Sequence, residues 1–434
     1  MWLVASHDAG YPVASIMSIN PTLPGLDAIM PIVADLAARF VERGFHLYLV
    51  GGVVRDLALG SLSVGDDIDL TTDADPNVIK ELVTPMATAL WTQGERFGTI
   101  GAAINDRQLE ITTHRAEAYD PGSRKPVVAF GTSIIDDLER RDFTINAMAV
   151  SIPGGELIDP FEGRQHLADR VLMTPLSPLE AFGDDPLRML RAARFIPRFG
   201  LTPEPGLEGA ASQLAERLSI VSVERIQHEL ERLLNLPRAA EGLYFMHRCH
   251  LLVGVLPAYA SDPVALETAV EWAAGPGSAL VRRAALVAPL GLDDGRGSLR
   301  RLRYSRAIMA ETSRLLAALP RVVEPDPDAE RVRRVVRDVS PANLNDLRRL
   351  TTNTGGAGDA FFRCFDELVA AEDLDDFSVP VSGREIMKHL GLESGPEVGE
   401  ATHYLHERRM MRGPLSRSEA LAALTEWQTD GPGS

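Results

Sequence analysis

Two carboxylates one residue apart, Asp67 and Asp69 in Asp67-Ile68-Asp69-Leu70-Thr71-Thr72, are well spaced for cation chemistry. In a strand, alternate residues face the same side about 7 Å apart at their Cα atoms, so both carboxylates address one point while Ile68 turns inward. Hard oxygen ligands converging in this way suit Mg²⁺, and two such ions about 3.5–4 Å apart serve phosphoryl transfer. Asp66 is out of phase and reads as a solvated turn residue. Asp-x-Asp alone is a common surface pattern, so its neighbours decide its meaning.

Those neighbours point to phosphate. Gly51 and Gly52 sit between a strand-like and a helix-like segment, where exposed N–H groups bind anions, and Arg55 follows one turn in with a guanidinium. The segment is neither a Walker loop nor a dinucleotide fingerprint, because Lys-Ser/Thr and the third glycine are both missing. Glu110, in the alternating Leu109-Glu110-Ile111-Thr112, reads either as a third carboxylate of the cluster or as a polar residue on an exposed strand face. Further on, Asp185, Arg188, Arg191 and Arg194 recur three apart. On a helix each would neighbour the next, with Leu187, Leu190 and Phe195 packing the other side.

These residues need a scaffold, and the hydrophobic pattern supplies one. Ile29, Ile32, Val33, Leu36, Ala37 and Phe40 recur at helical spacing, with Gly44 as a stop. Strands are expected at 46–50, 67–71, 99–104, 108–113, 147–152 and 156–158, with helices at 53–59 and 76–83. Beyond Pro175 the pattern turns helical: 179–195, 205–218, 223–234 and 238–247, then more helices broken at 275–277, 291–297, 325–327 and 355–358. The fold class is therefore α+β, a mixed-sheet head followed by an all-helical remainder.

Four motifs in order now carry a resemblance: Gly51 to Asp56, Asp67-Ile68-Asp69, Arg140-Arg141-Asp142-Phe143-Thr144-Ile145-Asn146-Ala147, and Gly183 to Phe195. Together they resemble the class II tRNA nucleotidyltransferase (CCA-adding) and bacterial poly(A) polymerase family, over roughly 47–200 with a weaker match at 396–424. The resemblance implies a polymerase β-like head at 44–175 after a leader and helix at 1–43. It also implies a neck with the nucleotide-selecting helix at 176–250, and a tRNA-binding body and tail at 251–434. It implies Mg²⁺ on Asp67 and Asp69 and triphosphate contacts from Gly52, Arg55 and Arg141; the catalytic set is then Asp67 and Asp69 with, on the first of its two readings from the strand pattern, Glu110. Asp185 and Arg188 would act as a protein template that accepts the amines of C and A and rejects the carbonyls of U and G, while Arg191 and Arg194 reach phosphates. Asp184 stands where the family more often has Glu.

The implied reaction is untemplated addition of CCA to the tRNA acceptor arm from CTP and ATP. The alternatives are CC-only or A-only addition, poly(A) synthesis or, in another class, an inactive RNA-binding module. The relatives' HD phosphohydrolase signature is missing, since the only His-Asp doublet is His7-Asp8. Arginine clusters at 300–306, 331–337 and 408–412 are candidates for tRNA phosphate contacts.

Composition limits the partners. The 434 residues carry 44 Lys and Arg against 61 Asp and Glu, a net charge of −17, which argues against a bulk DNA coater or a polybasic membrane binder. No apolar run approaches the roughly 18 residues of a membrane span, and no Lys or Arg precedes Arg39 as a signal peptide would require. Two cysteines, Cys249 and Cys364, cannot frame a disulfide fold, so a cytoplasmic location is expected, with Met1 or Met17 as the start.

Overall fold

The computed structural model describes residues 23–61, 67–118, 127–131 and 133–430. Asp66, His7-Asp8 and both candidate starts lie outside the described residues. The chain divides into two compact units, one ending at Ile220 and the other beginning at Val221.

The first unit is built on a seven-stranded sheet. Helix α1 (Leu26–Glu42) leads into β1 (Leu47–Val50), α2 (Gly52–Ala58), β2 (Ile68–Thr72), α3 (Pro76–Val83), β3 (Ala89–Trp91), β4 (Thr99–Ile104) and β5 (Arg107–Thr113). A separate hairpin, β6 (Arg115–Ala118) and β7 (Val127–Phe130), comes next, then α4 (Ile134–Glu139), β8 (Ala149–Ile152) and β9 (Leu157–Ile158). The sheet order is β3-β4-β5-β2-β1-β8-β9, with β2 and β5 parallel and every other pairing antiparallel. Strand alternation sends Leu47, Leu49, Ile68, Leu70, Leu109 and Ile111 into one core with Val33, Leu36 and Phe40 of α1 and Ile79 and Val83 of α3. The other face is left to Asp69, Thr71, Glu110 and Thr112.

Local chemistry sets the helix bounds. Asp75 accepts from the N–H groups of Asn77 and Val78 with Pro76 in the first turn, so α3 starts where an N-cap and a proline dictate. After α5 (Gly163–Asp169), Ser177 and Glu180 form a reciprocal capping box at the start of α6 (Pro178–Asp184). The expected continuous helix 179–195 is broken here. Asp185 is extended (φ −133°, ψ 99°) because the residue before a proline is driven out of the helical region, and α7 (Leu187–Phe199) begins anew after Pro186.

The second unit is helical throughout its described residues, from Val223–Leu234 to Arg417–Asp430. The break expected at 291–297 is instead the opening of the helix Gly291–Arg301. Gly295 packs so closely that a Cβ there would lie 3.1 Å from the Val287 carbonyl oxygen, so this glycine serves close helix packing rather than a turn. Near the C-terminus, Ile386, Leu390, Ala401, Leu405, Ala420 and Leu424 form a separate small core. Two arginines expected to meet tRNA are inside: Glu372 takes Arg333 Nε at 2.7 Å and Arg409 Nη1 at 2.9 Å, all three side chains being buried. Arg334 pairs with Glu330 and Glu407, whereas Arg300, Arg301, Arg306 and Arg412 stay exposed.

Candidate active site

The tight turn between β1 and α2 fixes one wall. Gly51 has φ +71°, a conformation L side chains avoid, and a Cβ there would sit 2.9 Å from Arg141 Nη1 and 3.7 Å from Asp69 Oδ2. Arg141 therefore lies over the glycine turn beside the strand carboxylate, and Asp137 Oδ2 holds its Nη2 at 2.9 Å.

The opposite wall is a row of sheet residues. Asp69 of β2 and Glu110 of β5 are direct cross-strand partners, which puts both side chains on one face. Asp67 stands exposed just before β2. Burial pushes the Asp69 carboxyl up to about 6, with Glu110 and Asp67 adding to the rise and Arg141 opposing it. A cavity of about 350 Å³ is lined by Val50, Asp69, Thr99, Glu110, Arg140 and Arg141.

Asp69, with Glu110 beside it on β5 and Asp67 just before β2, offers hard oxygen donors of the kind a divalent cation takes. Among the described residues no three His, Cys, Asp or Glu side chains converge as a complete metal cage.

Other expected site residues are held inside the protein. Arg55 is 5% exposed, donates from Nη1 to Asn146 Oδ1 at 2.6 Å, grips Asp56 through Nε and Nη2 at 2.9 Å, and lies 4.4 Å over the Phe199 ring. Arg194 is 3% exposed and stacks 4.3 Å over Phe195. Both guanidiniums, expected at phosphate, are engaged by neighbouring side chains within the first unit. Arg191 is likewise tied to Asp142, through Nε at 2.7 Å and Nη2 at 2.5 Å. Asp185, expected on a helix, occupies the α6–α7 joint and accepts from the Leu187 N–H at 3.1 Å. Arg188 donates to the carbonyl oxygens of Ala181 and Arg140.

Sequence reasoning assigned no role to Asp56, Asp142 or Asn146. Asn146 Nδ2 donates to Asp142 Oδ1 at 2.9 Å and its Oδ1 accepts from Arg55, so a continuous polar chain runs Asp56–Arg55–Asn146–Asp142–Arg191. The available signal was that these polar residues sit among apolar neighbours inside the same motifs.

The fold and this site define a nucleotidyltransferase head: residues 47–173 match the poly A polymerase head domain, and 200–262 match the family described as the probable RNA and SrmB-binding site of polymerase A. A CCA-adding enzyme of Geobacillus stearothermophilus is 33% identical over 287 residues, 66% of this chain and 69% of that protein. One from a Geobacillus species (strain WCH70) is 38% identical over 203 residues, 46% of this chain and about half (48%) of that protein. The crystal structure of Bacillus stearothermophilus CCA-adding enzyme in complex with CTP superposes with a TM-score of 0.72 at 27% identity, covering 92% of this chain and 97% of that one. The chain belongs to the CCA-adding enzyme family.

Proposed function

We propose that this protein adds CCA to tRNA 3′ ends from CTP and ATP without a nucleic-acid template, as a cytosolic enzyme. The observation that carries the proposal is the pairing of Asp69 with Glu110 across β2 and β5, opposite Arg141 over the Gly51 turn, in a chain of this family. The domain plan that accompanies it is the head at 44–175, the neck at 176–250 and the tRNA-binding body and tail at 251–434.

Asp67 and Asp69 would hold Mg²⁺, which supplies charge neutralisation at the α-phosphate and the departing pyrophosphate. Glu110 would add negative charge beside Asp69 and so favour a bound cation there. Arg141, kept in place by Asp137, binds the triphosphate, and the backbone N–H groups of the Gly51-Gly52 turn at the start of α2 favour its negative charge. Asp185 accepts the exocyclic amine of cytosine or adenine. Arg188 has its fork anchored on two carbonyl oxygens and keeps further N–H donors for the base, a preorganised arrangement. Arg55, Arg191 and Arg194 act as positioning residues, fixing α2 and α7 relative to the Arg140–Ala147 segment.

The test gives the purified protein tRNA transcripts ending before CCA, after CC, or complete, with each NTP alone and in pairs, with and without Mg²⁺. Extension by C, C and A followed by a stop, only with Mg²⁺, is expected. CC-only or A-only products would narrow the specificity. A long A tail, or no incorporation at all, would overturn the reading.

A further inference from the structure

Trp91, Gly101, Glu110 and Asp69 form one row across four neighbouring strands: Trp91 pairs with Gly101, Gly101 with Glu110, and Glu110 with Asp69. Direct cross-strand partners share a face, so the Trp91 side chain rises on the same side as the carboxylates. The indole leans along the row. A Cβ on Gly101 would meet Trp91 Cε3 at 3.2 Å, so the glycine leaves the ring room to lie over β4, the strand next to that of Glu110. Trp91 nevertheless stays 38% exposed on the edge strand.

A second cavity of about 350 Å³ opens at this end of the row, lined by Asp67, Trp91, Gln93, Gly101, Gln108 and Glu110. It shares Thr99 and Glu110 with the first, so the two flank the carboxylates. Their chemistry differs. The first cavity is lined by Arg140 and Arg141, whereas no Lys or Arg is among the described residues lining the second. Phosphate suits the first; a neutral, flat, polar-edged group suits the second.

In an in-line displacement, the attacking hydroxyl and the leaving pyrophosphate lie on opposite sides of the α-phosphorus. With the triphosphate on the arginine side, the attacking 3′ hydroxyl approaches from the Trp91 side. We propose that Trp91 is the stacking platform for the terminal base of the RNA being extended, with the amides of Gln93 and Gln108 at the base edge. This rests on the nucleotidyl-transfer reading above. It also suits that reading, because the terminal base changes as the tail grows and an aromatic platform accepts any base.

The experiment measures KM for tRNA and for CTP, and kcat, in wild type, Trp91→Ala and Trp91→Phe, each with tRNA carrying a normal or an abasic 3′-terminal nucleotide. Trp91→Ala should raise KM for tRNA about tenfold, as loss of one stacked base does, and leave KM for CTP unchanged. The abasic terminus should cost wild type about the same and cost Trp91→Ala little more, while Trp91→Phe stays close to wild type. Additive penalties from the variant and the abasic terminus, or a change confined to CTP, would overturn the platform. Should Trp91→Ala fail to fold, 2-aminopurine placed at the 3′ terminus decides. Its fluorescence should be quenched on binding wild type and less so on binding Trp91→Phe, and no quenching refutes stacking. Wild-type incorporation with additive penalties sinks the platform alone, whereas no wild-type incorporation into any tRNA sinks the parent reading with it.

Discussion

Asp142 accepts the Nε and Nη2 protons of Arg191 at 2.7 and 2.5 Å although 49 residues separate them in the chain. The bond joins the Arg140–Ala147 segment to α7. Asn146 extends it to Arg55 on α2, so the glycine turn and the segment bearing Asp185 are referenced to one polar chain whose middle members, Arg55, Asn146 and Asp142, are buried. Low local dielectric makes such a chain strong when complete and costly when one member is lost.

Asp142→Ala should therefore unfold at lower denaturant concentration, with a loss of about 3 kcal/mol, because it strands the Arg191 and Asn146 donors. An unchanged unfolding midpoint would refute the structural role of the chain.

The same carboxyl has a pH signature. Burial alone would raise its pKa, but Arg191, Asn146 and Arg188 outweigh burial and hold it at about 2. Its folded pKa is below the unfolded value of about 3.9, so its contribution is fully present above about pH 4 and is lost as pH falls through about 2. Stability measured from pH 5 to 2 should fall less steeply in Asp142→Asn than in wild type. Parallel curves would show that this carboxyl is not the group responsible.

Asp69 carries the opposite sign. With its carboxyl raised to about 6 by burial and by Glu110 and Asp67, its ionised form works against the metal-free fold above that pH. Asp69→Asn should abolish nucleotide incorporation yet melt, without Mg²⁺ at pH 7.5, at or above the wild-type temperature. It should also lose most of the Mg²⁺-dependent rise in Tm. Residual transfer near wild-type level would remove Asp69 from the reaction.

Gly51→Ala combines two penalties, a side chain at φ +71° and a contact 2.9 Å from Arg141. Displacing that guanidinium by about an ångström should lower kcat/KM for CTP and ATP by about 10²-fold, while the overall fold, read by circular dichroism, persists. Full activity in Gly51→Ala would separate Arg141 from triphosphate binding.

Asp185→Ala should retain transfer but lose most of its preference for CTP and ATP over UTP and GTP, measured as kcat/KM ratios. Discrimination by hydrogen bonding disappears with the acceptor. Unchanged ratios would mean that the base is read elsewhere.

In the second unit, Glu372→Ala should cost about 3 kcal/mol, because it leaves two buried guanidiniums without their carboxylate. A variant as stable as wild type would mean that Arg333 and Arg409 find other acceptors or water.

Much of this was written locally. The alternation around Asp69 and Glu110, the proline and aspartate that start α3, and the helical stripe of α1 follow from backbone periods of 2 and 3.6 residues and from capping chemistry, which neighbouring residues decide. The break at Asp185 was legible as well, since Pro186 constrains the residue before it, but the three-residue spacing of the arginines masked that signal. The arginines themselves were not legible. Arg55, Arg194, Arg333 and Arg409 look in sequence like Arg141, and they differ only in which carboxylates, carbonyls and rings the fold brings to them.

The sequence by itself determined the residue types, the order of the motifs and the face each strand residue takes, because these depend on covalent order and local backbone geometry. Tertiary structure alone decided that Asp69 meets Glu110 through a parallel pairing, that Arg141 closes over Gly51, and that Trp91 stands at the end of the same row. Strand order and register are set by packing between distant segments, and no local pattern encodes which strand becomes a neighbour.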